Sequence, residues 1–143
     1  MIVKDNPDAP RILRFARPNV LIVGPDVRAR AVVDRLSPCF GLPLHRCVLP
    51  GRLILPAACG GTLLLLNIEA LEKTQQLELL RWLDENGDWH VVSVSSIGLF
   101  ALVERGMFDE RLYYRLNIVF EDLEPSEAFV DRYHVSTLTA PKQ

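Results

Sequence analysis

The chain has 143 residues, 49% of them hydrophobic, a size and composition that suit one domain with a single core and exclude a disordered chain. The longest apolar run, around Leu63–Leu66, is too short to span a membrane, and no basic start followed by an apolar stretch marks a secretory signal. Net charge is −2, split as +4 over residues 1–50 and −6 over the rest. That asymmetry suits head-to-tail self-association or docking on an acidic partner; it also suits ordinary solvated helix faces. Cys39, Cys47 and Cys59 have no CxxC spacing, so they form neither a disulfide framework nor a zinc signature and read as reduced thiols.

Residues 1–18 hold Pro7, Pro10 and Pro18 with little periodicity and read as an entry segment or linker. Asn19–Val23 is a short apolar run, expected as a strand buried on both faces. Gly24-Pro25-Asp26 punctuates it, with Asp26 placed to cap the helix that follows. In that helix Ala29, Val32, Val33 and Leu36 form one apolar stripe, and Ser37-Pro38 ends it. Leu42–Leu49 is a second strand, Pro50–Gly61 a loop with room for one helical turn, and Thr62–Leu66 a third strand.

Leu71–Glu85 is the longest predicted helix, with Leu77, Leu80 and Leu83 on its inner side and Asn86-Gly87 as a left-handed cap. Trp89–Val94 alternates toward strand. Ser95 and Ser96 lead into a helix around Ile97–Arg105, Gly106 interrupts, Phe108–Leu116 is helical, and Ile118–Phe120 is a fifth strand. Strands alternating with helices indicate a parallel sheet covered on both faces. His45 and Cys47 alternate on one strand face and could supply two metal ligands, but no second pair accompanies them, which favours structural roles. Trp82 and Trp89 flank a turn and read as packing residues.

Two segments carry a specific resemblance. One is Gly60-Gly61-Thr62-Leu63-Leu64-Leu65-Leu66-Asn67-Ile68; the other is Gly106-Met107-Phe108-Asp109-Glu110-Arg111-Leu112-Tyr113-Tyr114-Arg115-Leu116-Asn117. Together they resemble the AAA+ ATPase core of the sigma-54-dependent transcription activators. The likeness covers roughly residues 19–121 and is strongest from Gly60 to Asn117. It implies an α/β, three-layer P-loop NTPase-like domain with a five-stranded parallel sheet over 19–124. It also implies that the helical lid is absent and that 125–143 form a tail.

The resemblance also locates what is missing. The family's first segment reads GGTLFLDEI, whose Asp and Glu hold Mg²⁺ and orient the attacking water; here those positions are Leu66 and Asn67. Leu66 cannot ligate Mg²⁺, and Asn67 cannot take a proton. Glu69 is near enough to propose as a displaced base, although an acid at a helix start is its commoner role. The phosphate loop GESGTGKE corresponds to Gly24-Pro25-Asp26-Val27-Arg28-Ala29-Arg30, with one glycine, no Lys and no Mg²⁺-binding hydroxyl. Ser95 and Ser96 stand where a polar pair senses the γ-phosphate, or else cap the next helix.

In GxFRxDLYYRLN the first arginine becomes Asp109 and the Asp becomes Arg111, while Arg115 retains the second arginine, which in the family reaches a neighbour's ATP. No GAFTGA-like string lies between the second strand and Gly60. The resemblance therefore implies a cytoplasmic pseudo-ATPase with no cofactor, acting in transcriptional or two-component signalling as a regulatory or protein-interaction module. Its partner would be a related AAA+ activator, a signalling protein or itself, with no direct contact to sigma-54, nucleic acid or membrane. The alternative is an ATPase completed in a mixed ring, with Arg115 as arginine finger. A receiver-like signalling domain is a third reading, but it lacks a phosphoacceptor Asp after the third strand.

Overall fold

The computed structural model describes residues 18–57 and 60–123. Nearly all of the expected entry segment, the tail over 125–143 and Cys59 lie outside the described residues.

Five segments with high β-propensity form strands: β1 (Val20–Val23), β2 (Leu44–Val48), β3 (Thr62–Leu66), β4 (His90–Ser95) and β5 (Val119–Asp122). They lie in the order β2–β3–β4–β1–β5, and every neighbouring pair is parallel. Val20 aligns with Val92 on one side and Val119 on the other, so β1 is interior and its four residues are all buried. A parallel sheet needs crossovers that return over its faces, and these set the layers.

One face packs against α1 (Asp26–Leu36) and the 3-10 turn Ser37–Cys39, through Ala29, Val32, Leu36 and Phe40 against Val20, Ile22, Leu64 and Val92. The other face carries α2 (Lys73–Glu85), α3 (Leu99–Glu104) and α4 (Glu110–Leu116). There Leu79, Trp82, Leu83, Leu99, Leu112 and Leu116 close over Leu21, Leu63, Leu65 and Val91. The two tryptophans stack in this layer with ring centroids 5.8 Å apart, and Trp82 Nε1 donates to Pro56 O at 2.8 Å.

Several local expectations are corrected. Asp26 does not cap α1: Pro25 occupies the cap position, Asp26 is the first helical residue, and no side chain caps the turn. Proline fits there because its fixed φ of −61° leads into the helix and it has no N–H to satisfy. Leu77 is not on the inner side of α2. The buried stripe is Gln76, Leu79, Trp82 and Leu83, and Leu77 is 47% exposed. Leucines spaced by threes drift off a period of 3.6, which the set 76, 79, 83 follows.

Asn86-Gly87 is not a left-handed cap. Asn86 has φ −133°, and its side chain closes the helix by donating to Trp82 O at 2.9 Å. Among the described residues of 50–61 no helical turn forms; this connection runs irregularly over the α2 face, with Leu53 buried there. Gly60 and Gly61 permit its close passage. A Cβ on Gly61 would lie 2.2 Å from Pro43 O, and one on Gly60 would lie 2.3 Å from Asp88 O.

Candidate functional site

All strands run the same way, so their carboxyl ends share one rim, the place where open α/β sheets bind ligands. Gly24, Leu66-Asn67 and Ser95-Ser96 all fall on it, immediately at or after β1, β3 and β4. The structure brings these positions together, and it also shows what each is occupied with.

Gly24 N–H donates to Ser95 O at 3.0 Å, so its donor is engaged. Its α-carbon is covered by Leu123, since an added Cβ would lie 2.6 Å from Leu123 Cβ. Leu123 is held there from two directions: its N–H donates to Val23 O at 2.7 Å, and its carbonyl accepts from an Arg28 guanidinium N–H at 3.0 Å. The first cation of α1 is thus bound to the chain's own backbone.

Leu66 packs partly buried against the α1-side core. Asn67 turns along the rim toward the end of β2. It adopts the left-handed conformation, φ 62° and ψ 49°, and its Nδ2 donates to Leu49 O at 3.0 Å. Asparagine tolerates this backbone region better than other residues bearing a Cβ. The bend starts the 3-10 turn Ile68–Ala70, with Glu69 in its first turn; α2 begins only at Lys73, behind a Glu72–Gln75 capping box.

The Glu69 carboxylate accepts from Ser96 Oγ at 2.6 Å and from Ser96 N–H at 3.3 Å. Neither serine caps the next helix, which corrects that reading. Ser95 Oγ donates to Ile97 O at 2.5 Å, and α3 starts after Gly98 with no side-chain cap.

Arg115 stands apart from this cluster. Its backbone carbonyl accepts from Asn19 Nδ2, next to the amino end of β1, whereas Gly24 follows the carboxyl end. Its guanidinium pairs with Asp84 and donates to Leu83 O at 3.1 Å, tying α4 to the end of α2. Asp109 and Arg111 sit at the start of α4. Asp109 caps that helix by accepting from Leu112 N–H at 3.1 Å, and Arg111 bonds the same carboxylate at 3.0 Å. The hydrogen bond from Arg111 is the largest of the causes holding the Asp109 carboxyl below its ordinary value.

Two positioning residues were not legible beforehand. Gln76 is buried in α2. It donates to Leu71 O and Met107 O, at 3.0 and 3.1 Å, and accepts from Asp109 N–H at 2.7 Å. Asn19 links Arg115 O to Val91 N–H. A lone polar residue on a leucine-rich face is the only signal that pointed to Gln76. His45 Nε2 lies 2.8 Å from Ile54 O, and Cys47 donates to Arg52 O at 3.4 Å, both local contacts. Among the described residues no group of three or more His, Cys, Asp or Glu could hold a metal, and no helix is long and apolar enough to cross a membrane.

Residues 44–123 match the family described as Sigma-54 interaction domain. The chain is 38% identical over 80 residues to the HTH-type transcriptional regulatory protein TyrR of Enterobacter agglomerans, an alignment covering 48% of this chain and 15% of TyrR. It is 36% identical to the C4-dicarboxylate transport transcriptional regulatory protein DctD of Rhizobium meliloti, covering 48% of this chain and 17% of DctD. The chain therefore spans only about a sixth of the length of these relatives. Among solved structures, NtrX from Brucella abortus in complex with ATP superposes with a TM-score of 0.63 at 19% identity, covering 89% of this chain and 37% of NtrX. The P-loop NTPase domain of a sigma-54 transport activator from E. coli gives 0.55 at 18% identity, covering 80% of this chain and 97% of that domain. These superpositions show an α/β P-loop NTPase-like fold.

Proposed function

This chain belongs to the Sigma-54 interaction domain family, and on that premise we propose that it is a non-hydrolysing regulatory or protein-interaction module, a pseudo-ATPase of transcriptional or two-component signalling. Gly24, Pro25, Asp26, Leu66, Asn67, Ser95 and Ser96 are the positions of the degenerate nucleotide site. The observation that carries this reading is the closure of the loop after β1. Gly24 donates inward to Ser95, Leu123 lies on its α-carbon, and Arg28 is bound to Leu123 O. A phosphate needs free N–H donors and a cation at that place. Here the Gly24 donor and the Arg28 cation both serve the chain's own backbone, and Asp26 adds a negative charge at the helix start.

The chemistry fails at the other half of the site as well. Leu66 offers no oxygen to Mg²⁺, and the left-handed backbone at Asn67 directs its amide to Leu49 O. Arg115 is engaged with Asp84 within its own chain, which supports a role in docking α4 on α2. The domain acts by contact with a protein partner: a related activator, a signalling protein or a second copy.

Thermal unfolding with saturating Mg-ATP or a non-hydrolysable analogue tests the reading. A ligand at a hundred times its dissociation constant stabilises by about 2.7 kcal/mol, and no such stabilisation is expected here. The pair Leu66→Asp with Asn67→Glu is expected to leave hydrolysis at background. Nucleotide-dependent stabilisation of the wild-type chain would reject the reading.

A further inference from the structure

The backbone of β2 is occupied on one side only. Thr62 N–H donates to Pro43 O at 3.0 Å and Leu49 N–H donates to Leu66 O at 2.9 Å, one bond at each end of the ladder with β3. Backbone groups alternate in direction along a strand, so Pro43, His45, Cys47 and Leu49 serve β3. The N–H and C=O groups of Leu44, Arg46 and Val48 therefore point to the outer edge. β2 ends the sheet, and among the described residues no hydrogen bond engages those outward groups. The side chains of the same residues share one face. Cys47 and Leu49 belong to the core beneath α2, so Leu44, Arg46 and Val48 lie on the α1 side, in register with Thr62, Leu64 and Leu66. The α1 layer includes Leu64 but no residue of β2. Leu44 is 46% exposed and Val48 53% exposed, with Arg46 exposed between them. Among the described residues no carboxylate pairs with Arg46.

We infer that this edge takes an extended segment of a partner protein as an added strand, a segment with an acidic residue between two apolar ones at alternate positions. Strand addition draws affinity from main-chain hydrogen bonds and selects through alternate side chains. Here the selecting row is apolar, cationic, apolar. An acid opposite Arg46 is attracted across the pair, and the apolar residues on either side of it cover Leu44 and Val48. The same row disfavours a second copy of β2. Antiparallel pairing of two copies with Leu44 against Val48 sets Arg46 opposite Arg46, and like charges directly opposite are destabilising. A charge on an edge strand is a common guard against such pairing. Flanked by two exposed apolar residues on one face, this charge also admits its opposite. The inference rests on the proposed interaction role and supplies its surface and the class of its partner.

The test titrates the full chain into a fluorescently labelled synthetic peptide in which Val, Glu and Val alternate with Thr. Two further peptides serve as comparisons, one with Lys in place of Glu and one N-methylated along its backbone. The Glu peptide is expected to bind roughly fivefold or more tightly than the Lys peptide, and the N-methylated peptide is expected not to bind. Arg46→Glu, at an exposed position, is expected to reverse the preference, and Leu44→Asp to weaken binding of the Glu peptide. Amide hydrogen exchange locates the contact. With the Glu peptide bound, the amides of Leu44, Arg46 and Val48 are expected to exchange more slowly, and those of His45 and Cys47, which already serve β3, to stay as they were. Far-ultraviolet circular dichroism verifies that each variant folds. Equal affinity for the Glu and Lys peptides overturns the inference. So does a preference that survives Arg46→Glu, binding of the N-methylated peptide, or no binding at all. Self-association of the wild type that Leu44→Asp abolishes would give the edge to a second copy and overturn it too. A chain that discriminates the peptides but is stabilised by ATP would defeat the pseudo-ATPase reading and leave the edge standing; a chain that ignores both would do the reverse.

Discussion

The carboxyl rim of the sheet and the α2–α4 flank are built from the two most specific motifs of the chain, yet they have different relations to their surroundings. At the rim the side chains and donors that would face a ligand are turned onto the chain itself: Gly24 onto Ser95, Asn67 onto Leu49, Ser96 onto Glu69, Arg28 onto Leu123. On the flank, Leu112, Tyr113 and Leu116 are buried in the core, and Asp109 and Arg115 fasten the two ends of α4. A residue that fills a core is constrained by its neighbours whatever chemistry the protein performs. A residue whose task is to face a phosphate is constrained only while the phosphate is bound. On the proposed pseudo-ATPase reading, the difference between the two regions follows from that asymmetry.

The flank turns on Gln76, the polar residue buried between α2 and the start of α4. Gln76→Leu removes one acceptor and two donated bonds, leaving Asp109 N–H, Leu71 O and Met107 O to find other partners. Each buried group left unpaired costs about 1–3 kcal/mol, so a total loss of about 3 kcal/mol is expected in urea unfolding. A loss below about 1 kcal/mol would mean that the start of α4 is held by the Asp109 cap and apolar packing without need of Gln76.

The rim offers a smaller effect with a distinctive signature. Gly24→Ala drives a Cβ against Leu123, and overpacking of this kind costs about 1–3 kcal/mol. If Leu123 is the group that makes glycine necessary, the cost of Gly24→Ala should fall markedly in a Leu123→Ala background. The measurement is a double-mutant cycle on unfolding free energies. Additive losses would show that Gly24 answers to something other than Leu123, and the rim would then be less closed than its geometry indicates.

How much of this was legible in the sequence divides along the same line. Strand β3 is read from its run of leucines to the same residues found, because burial on both faces leaves an uninterrupted apolar pattern, and the other strands are read within a few residues. That Leu66 and Asn67 carry no carboxylate is equally plain, since it depends on residue type alone. What escaped was whatever depends on partners distant in the chain. Asn19 spans ninety-six positions to Arg115, Gln76 more than thirty to Asp109, and Gly24 nearly a hundred to Leu123. Local capping rules also misplaced Asp26, Ser95 and Ser96, because proline could take the cap position and because Glu69 offered Ser96 a stronger, charged acceptor.

The smallest effect separates the two roles that Asp109 combines. Asp109 serves here as the cap of α4 and as the partner of Arg111. Asp109→Ala is expected to cost about 1 kcal/mol, the usual loss for a helix cap. Asp109→Asn retains an acceptor for Leu112 N–H but surrenders the charge that bonds Arg111, so it should cost less. The pH dependence has a definite sign. The folded carboxyl is held below its ordinary value of 3.8, so its contribution is complete at neutral pH, where both folded and unfolded forms are ionised. It disappears as pH falls below that value and through the folded one, and the gap between wild type and Asp109→Asn should narrow only there. Unfolding midpoints compared at neutral and acidic pH decide the matter. A gap that widened on acidification would mean that the ionised carboxylate is a burden which the folded chain tolerates, rather than a group it uses to begin α4.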